Sequence, residues 1–246
     1  PKYLYGSYSG ISYSRLINEG KIVAIDSYIK NSKILKEPNT CGWQTIDNMK
    51  VNGKVYGFPI SAGNGCVTYV RKDWLDNLGL SVPTTWDELY KVMWEFTYND
   101  PDRNGKNDTY GYVFPTLGDE IFLQDFFQDA NYDFVELNGK WVDGFVEPAM
   151  KKALERLCLV YRNGIIDKDS FRSHVHVCRE KIQSGKSGIF QYFAGSSGLI
   201  LQNETSKRNI KANLIAIPAI MEVNYLKRVD KFLTITKSAK DPKNVF

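Results

Sequence analysis

Asp100, Asp102, Asn104 and Asp108 recur at even spacings through the stretch "DPDRNGKNDTYG" (100–111), which turns at Gly105. Counted from Asp100, they occupy positions 1, 3, 5 and 9, with Lys106 at position 7. This is the order in which a calcium loop supplies side-chain oxygens and, at position 7, a backbone carbonyl. Three carboxylates this close repel one another unless a cation lies among them. The spacing therefore predicts a structural calcium ion held by Asp100, Asp102, Asn104, the Lys106 carbonyl and Asp108, with water completing the shell. The competing reading is a solvated Asx-rich turn. An EF-hand would carry Glu at position 12, where this chain has Gly111, and a helical pattern enters the loop but none follows it. A structural ion is thus expected in preference to a calcium switch.

Other residues offer less chemistry. His174, His176 and Cys178 would share one face of a strand and could approach zinc, but no fourth ligand lies nearby in the sequence. The small-residue loop Gly195-Ser196-Ser197-Gly198 could present backbone N–H groups at a helix start to an oxygen-rich ligand. There is no GxSxG elbow, no HExxH and no P-loop, and "GKSG" (185–188) has no glycine at 180 to complete one. No residue receives a catalytic role. The four cysteines, at 41, 66, 158 and 178, form no CxxC pair, and their disulfide state stays open. The net charge of +4 is spread without a basic run, so neither nucleic acid nor an anionic membrane patch is an expected partner. Aromatic residues make up 13% of the chain, enough for a filled core or for a cleft that stacks flat ligands.

These residues must be carried by alternating helices and strands. Residues 82–96 read as a helix, with Thr85 and Glu88 as a capping box and Trp86, Leu89, Met93 and Phe96 as its apolar stripe. Residues 147–164 read as a second helix, with Pro148 in its first turn and Gly164 at its end. Asn52-Gly53 marks a hairpin turn. Strands are expected around 65–70, 109–114, 188–193, 213–220 and 231–236, and the alternation argues for α/β layers. No apolar run reaches the length of a membrane span.

The stretches "VNGKVYGFPIS" (51–61), "YVRKDWLDNLGLSVPTTWDELYKVMWEFTYNDPDRNGKNDTYGYVF" (69–114), "NGIIDKDSF" (163–171), "SGKSGIF" (184–190) and "LTITKSAKDPKN" (233–244) together resemble family 1 of the extracellular solute-binding proteins of bacterial ABC importers. The likeness is greatest to oligosaccharide-binding lipoproteins and alginate-binding proteins. It implies a periplasmic-binding-protein-like α/β fold of two lobes joined by hinge strands, closing on a sugar. By this likeness residues 1–112 form the N-terminal lobe, 113–217 the second lobe and 218–246 a return segment, in a chain truncated at both ends. It implies a calcium site in the Asp100 loop, where members often carry Glu directly after the last Asp; this chain has Thr109 there. It points to Ser61, Asn64, Phe114, Tyr192, Phe193 and Ser196, with Trp43 and Tyr13 after them, as ligand-binding residues. The implied protein is a monomeric, non-catalytic, lipid-anchored extracellular binder that passes a carbohydrate to an ABC permease. A sensor domain of a signalling receptor and a glycan-active enzyme are the alternatives.

Overall fold

The computed structural model describes residues 3–7, 10–35, 46, 50–61, 65–116, 123–128, 130, 134–137, 140–218, 220 and 231–245. The chain divides into two compact units, Pro1–Gly65 with Leu226–Phe246, and Cys66–Tyr225. The boundary expected after residue 112 would cut through strand β4 (Tyr110–Val113), which is hydrogen-bonded at one edge of the second unit's sheet. Strand pairing between distant segments, invisible in local pattern, sets the division.

In the first unit, strands β1 (Tyr3–Ser7) and β2 (Phe58–Ser61) flank β9 (Lys231–Ile235), and both pairings are antiparallel. Ile25, Ile29, Val55 and Ile235 pack together beside this sheet. Asn52 and Gly53 both take positive φ, 51° and 74°, between Val51 and Lys54. That is the primed turn expected of an Asn-Gly pair, because its twist matches the strands it joins.

In the second unit, β3 (Cys66–Arg71), β4, β7 (Ser187–Phe193) and β8 (Leu214–Ile217) form a sheet in the order β4-β7-β3-β8. β4 runs parallel to β7, whereas β3 is antiparallel to both β7 and β8. β5 (Phe134–Leu137) and β6 (Lys140–Asp143) make a separate antiparallel pair. β7 is buried at every position but its last, as a strand covered on both faces must be. Successive side chains point to opposite faces. Val70, Tyr112, Ile189 and Ile217 therefore join Leu89, Met93 and Phe96 of the Trp86–Tyr98 helix and Met150, Ala153 and Val160 of the Pro148–Arg162 helix. Tyr69, Val113, Phe190 and Tyr192 join Cys178, Ile182 and Leu201 on the other side, from the Val175–Gln183 and Ser196–Arg208 helices.

The Trp86–Tyr98 helix starts as its sequence dictates. The Thr85 hydroxyl accepts from the Glu88 N–H at 3.3 Å, while the Glu88 carboxylate accepts from the N–H and hydroxyl of Thr84 rather than from Thr85. In the Pro148–Arg162 helix, Met150, Ala153, Leu157 and Val160 are buried, whereas Leu154 and Tyr161 are exposed. Among the described residues no helix is long and apolar enough to cross a membrane.

Candidate functional site

The loop from Asp100 to Thr109 follows the C-terminus of the Trp86–Tyr98 helix and leads into β4. Its backbone is wound tightly: Asp100, Arg103 and Gly105 all take positive φ. Asp100 organises the turn, since its two carboxylate oxygens accept from the N–H groups of Asn104 and Gly105, each at 2.9 Å. The Asn104 amide nitrogen donates to Asp102 Oδ2 at 2.9 Å and to Asp108 Oδ1 at 3.1 Å, tying three of the expected ligand residues together. Asn104 Oδ1 accepts from the Lys106 N–H at 2.8 Å. The loop is clipped to the neighbouring Lys72–Leu78 helix by Asn77 Nδ2 on the Pro101 carbonyl and by Arg103 on the Asn77 carbonyl.

The electrostatics are those of crowded carboxylates. Burial first, and then the neighbouring Asp100 and Asp108, push the Asp102 carboxyl upward. Asp102 Oδ1 is enclosed and has no hydrogen-bond partner. Asp108 is held below the usual carboxylate range by Lys186, whose Nζ lies 2.6 Å from Oδ2, and by Asn104. Among the described residues no three His, Cys, Asp or Glu side chains converge into a ready-made metal site. Oxygen donors for a hard cation would thus have to include the Asn104 amide and the Lys106 carbonyl as well as the carboxylates, and the orphaned Asp102 oxygen fits that chemistry.

Two details explain how this loop departs from an EF-hand. Thr109 is buried and its hydroxyl donates to the Phe96 carbonyl at 2.7 Å, so it belongs to the helix–strand junction rather than to the loop. Gly111 lies so close to the Trp86–Tyr98 helix that a Cβ there would sit 2.2 Å from the Met93 carbonyl oxygen. No glutamate can occupy position 12 while that packing holds.

The residues expected around a ligand scatter between core and surface. Phe114 is wholly buried, packed edge-on against Phe126 and Phe171, so its ring belongs to the core. Tyr192 is also buried, stacked on Phe190 with centroids 5.2 Å apart. Tyr13 lies in the first unit with its hydroxyl accepting from the Tyr56 N–H at 3.0 Å, and burial pushes that phenol up to about 12. Phe193 and Ser196 are exposed, at the end of β7 and in the first turn of the Ser196–Arg208 helix. Ser61 ends β2, opposite Lys231. Asn64 and Trp43 lie outside the described residues. His174 and His176 are exposed while Cys178 is buried on the Val175–Gln183 helix, so the three residues share no strand face. Cys66, Cys158 and Cys178 are thiols.

A polar cluster that sequence reasoning missed lies beneath Phe193. Thr68 and Gln191 are direct partners across β3 and β7, and Phe193 follows Gln191 on the same face. The Asp125 carboxylate, in the short Gln124–Phe127 helix, accepts through Oδ2 from the hydroxyls of Thr68 at 2.6 Å and Tyr112 at 2.8 Å. The Gln124 N–H donates to Gln191 Oε1 at 3.0 Å. Asp125, Gln124, Gln128 and Gln191 are all buried. Burial raises the Asp125 pKa, opposed by those two hydroxyls. A carboxyl whose folded pKa lies above its unfolded one favours folding below the unfolded value, and that contribution is lost as pH rises through the folded value. Asp125→Asn keeps an oxygen for both hydroxyls and removes the titration. Its stability relative to the parent protein is expected to rise as pH increases above the ordinary aspartate value of about 4, as measured by urea melts at each pH.

The family model for bacterial extracellular solute-binding proteins matches residues 6–246. The chain belongs to this family. It is 32% identical over 185 residues to lipoprotein LipO of Bacillus subtilis (72% of this chain, 36% of LipO). It is 32% identical over 192 residues to the polygalacturonan/rhamnogalacturonan-binding protein YtcQ of the same organism (73% of this chain, 36% of YtcQ). Its fold matches a structure of the Streptococcus pneumoniae ABC-transporter substrate-binding protein FusA, described as an EF-hand mutant in complex with fructo-nystose, with a TM-score of 0.61 and 19% identity over 100% of this chain and 54% of FusA. The α/β architecture is that of solute-binding proteins. The chain spans about a third of the length of these curated relatives and about half of that solved chain.

Proposed function

We propose that this chain is part of an extracellular binder that captures a carbohydrate, an oligosaccharide, for an ABC importer, and that it turns over no substrate. The observation that carries the reading is family membership across residues 6–246, joined to relatives named for binding polygalacturonan and fructo-oligosaccharide. The lipoprotein relative supports anchoring at the cell surface, and no nucleic-acid partner is expected. The protein acts as a monomer facing a membrane permease.

In the same reading the Asp100 loop takes calcium through Asp100, Asp102, Asn104, the Lys106 carbonyl and Asp108. The enclosed, unpartnered Asp102 Oδ1 and the crowding of three carboxylates support it, as does the EF-hand attributed to FusA. When bound, the ion supplies charge neutralisation and a fixed loop; the residues themselves hold the loop against the Trp86–Tyr98 helix. Among the ligand residues, Phe193 and Ser196 are the exposed candidates, offering a ring face and a hydroxyl to a sugar.

A thermal melt against a glycan panel tests both parts. A cognate oligosaccharide at ~100 times its Kd stabilises by about 2.7 kcal/mol, a shift on the order of 5–10 °C, and is recovered unchanged. A chelator lowers Tm and added calcium restores it. Conversion of the glycan would instead make the protein an enzyme, and no response to any glycan would overturn the carbohydrate reading.

A further inference from the structure

Gln191 on β7, and Gln124 and Gln128 at the two ends of the Gln124–Phe127 helix, are polar side chains at buried positions. Four of their amide atoms are enclosed with no hydrogen-bond partner: Nε2 and Oε1 of Gln124, Nε2 of Gln128 and Nε2 of Gln191. Each such group costs free energy that an apolar side chain of the same shape would not. Ile189, two residues earlier on β7 and on the same face, is such a side chain, fully buried in the apolar core. Local rules broken without visible compensation concentrate at functional sites.

The cluster is also pre-organised. The Gln124 N–H fixes Gln191 Oε1, leaving Gln191 Nε2 as a donor. Thr68 and Tyr112 anchor Asp125 through Oδ2. A carboxamide pairs a donor with an acceptor, and a carboxylate accepts, which together match hydroxyls that both donate and accept. Gln128 closes the short helix at φ 51° and ψ −108°, a conformation that non-glycine residues rarely hold and that recurs at ligand sites. The exposed Phe193 ring lies one position beyond Gln191 on the same face.

We propose that Gln124, Gln128 and Gln191, beside Asp125 and below Phe193, form a subsite that recognises sugar hydroxyls. This rests on the carbohydrate reading above. The amide atoms are enclosed here, so the sugar edge enters by displacing the turn at Gln128.

Gln191→Leu and Gln124→Leu, on separate elements, test it, with melts in buffer and titrations with fructo-nystose and an oligogalacturonate. Without glycan, Gln124→Leu is expected to melt at or above the parent temperature, and Gln191→Leu below it, because leucine leaves the Gln124 N–H without its acceptor. With the glycan that shifts the parent protein, their affinity falls at least ~10-fold, because the sugar hydroxyl loses a buried partner. A fall in Tm for Gln124→Leu without glycan means the amides serve internal water, and overturns the subsite. Parent-like glycan affinity in the variants overturns it too, while leaving the carbohydrate reading intact. If neither glycan, nor any other in the panel, shifts the parent protein, that reading fails and the subsite with it.

Discussion

Gly111→Ala is expected to unfold the second unit or to lower its stability by more than about 3 kcal/mol, as a cavity-free clash in a close-packed core does when backbone must move. The backbone at Gly111 does not require glycine; the space does. Its Cβ position lies 2.2 Å from the Met93 carbonyl oxygen and 2.7 Å from the Met93 Cα, both backbone atoms of a helix that cannot rotate out of the way. The Gly111 N–H is also held by the Ile165 carbonyl and the Thr97 hydroxyl, each at 2.9 Å, so β4 cannot retreat without breaking both bonds. At roughly 2–4 °C per kcal/mol for a chain of 150–250 residues, the melt shifts by on the order of 10 °C or the protein is recovered unfolded. Gly105→Ala, in the loop, meets no atom within 4 Å and is strained only by its φ of 77°, so it serves as the milder control. A Gly111→Ala protein that melts within a degree or two of the parent would mean the helix and strand are farther apart than the structure has them. It would also reopen position 12 of the loop to a ligating side chain.

What the sequence disclosed and what it withheld follow from the range of the interactions. The Thr85 cap, the Leu89–Met93–Phe96 stripe and the Asn52-Gly53 turn are set by residues within one or two turns of each other, and each is found where its pattern placed it. The loop was legible for the same reason: Asp100, Asp102, Asn104 and Asp108 answer to one another over nine residues. The Lys186 ion pair to Asp108 was not, because it bridges 78 residues. The glutamine cluster was equally silent. "LQDFFQ" reads as an ordinary half-polar segment, and only Thr68, 57 residues before Asp125, and Gln191, 67 residues after Gln124, show that its polar side chains are inside. Aromatic type cannot tell a core ring from a stacking platform. Phe114 and Phe193 looked alike in sequence, yet one is wholly buried and the other exposed.

That distinction is measurable at Phe114. Phe114→Ala should cost about 3–5 kcal/mol, the usual range for emptying a buried phenylalanine site, because its ring fills space against Phe126 at 6.0 Å and Phe171 at 5.2 Å. Against a total stability of about 5–15 kcal/mol, such a loss leaves little reserve. Phe114→Leu keeps most of the volume and should cost less than about 1.5 kcal/mol. The leucine variant separates the two roles. A core ring predicts a modest loss of stability and a glycan-induced Tm shift equal to the parent's, since leucine fills the same space and the sugar never touches it. A stacking ring predicts the reverse: a parent-like melt and a lost shift, because leucine has no flat face for a sugar ring to lie on. The wholly buried ring, with edge-to-face partners on two sides, commits the molecule to the first outcome. Phe193→Leu, on the exposed end of β7, should then give the second, so the pair of variants assigns each aromatic to core or ligand by the sign of two melts.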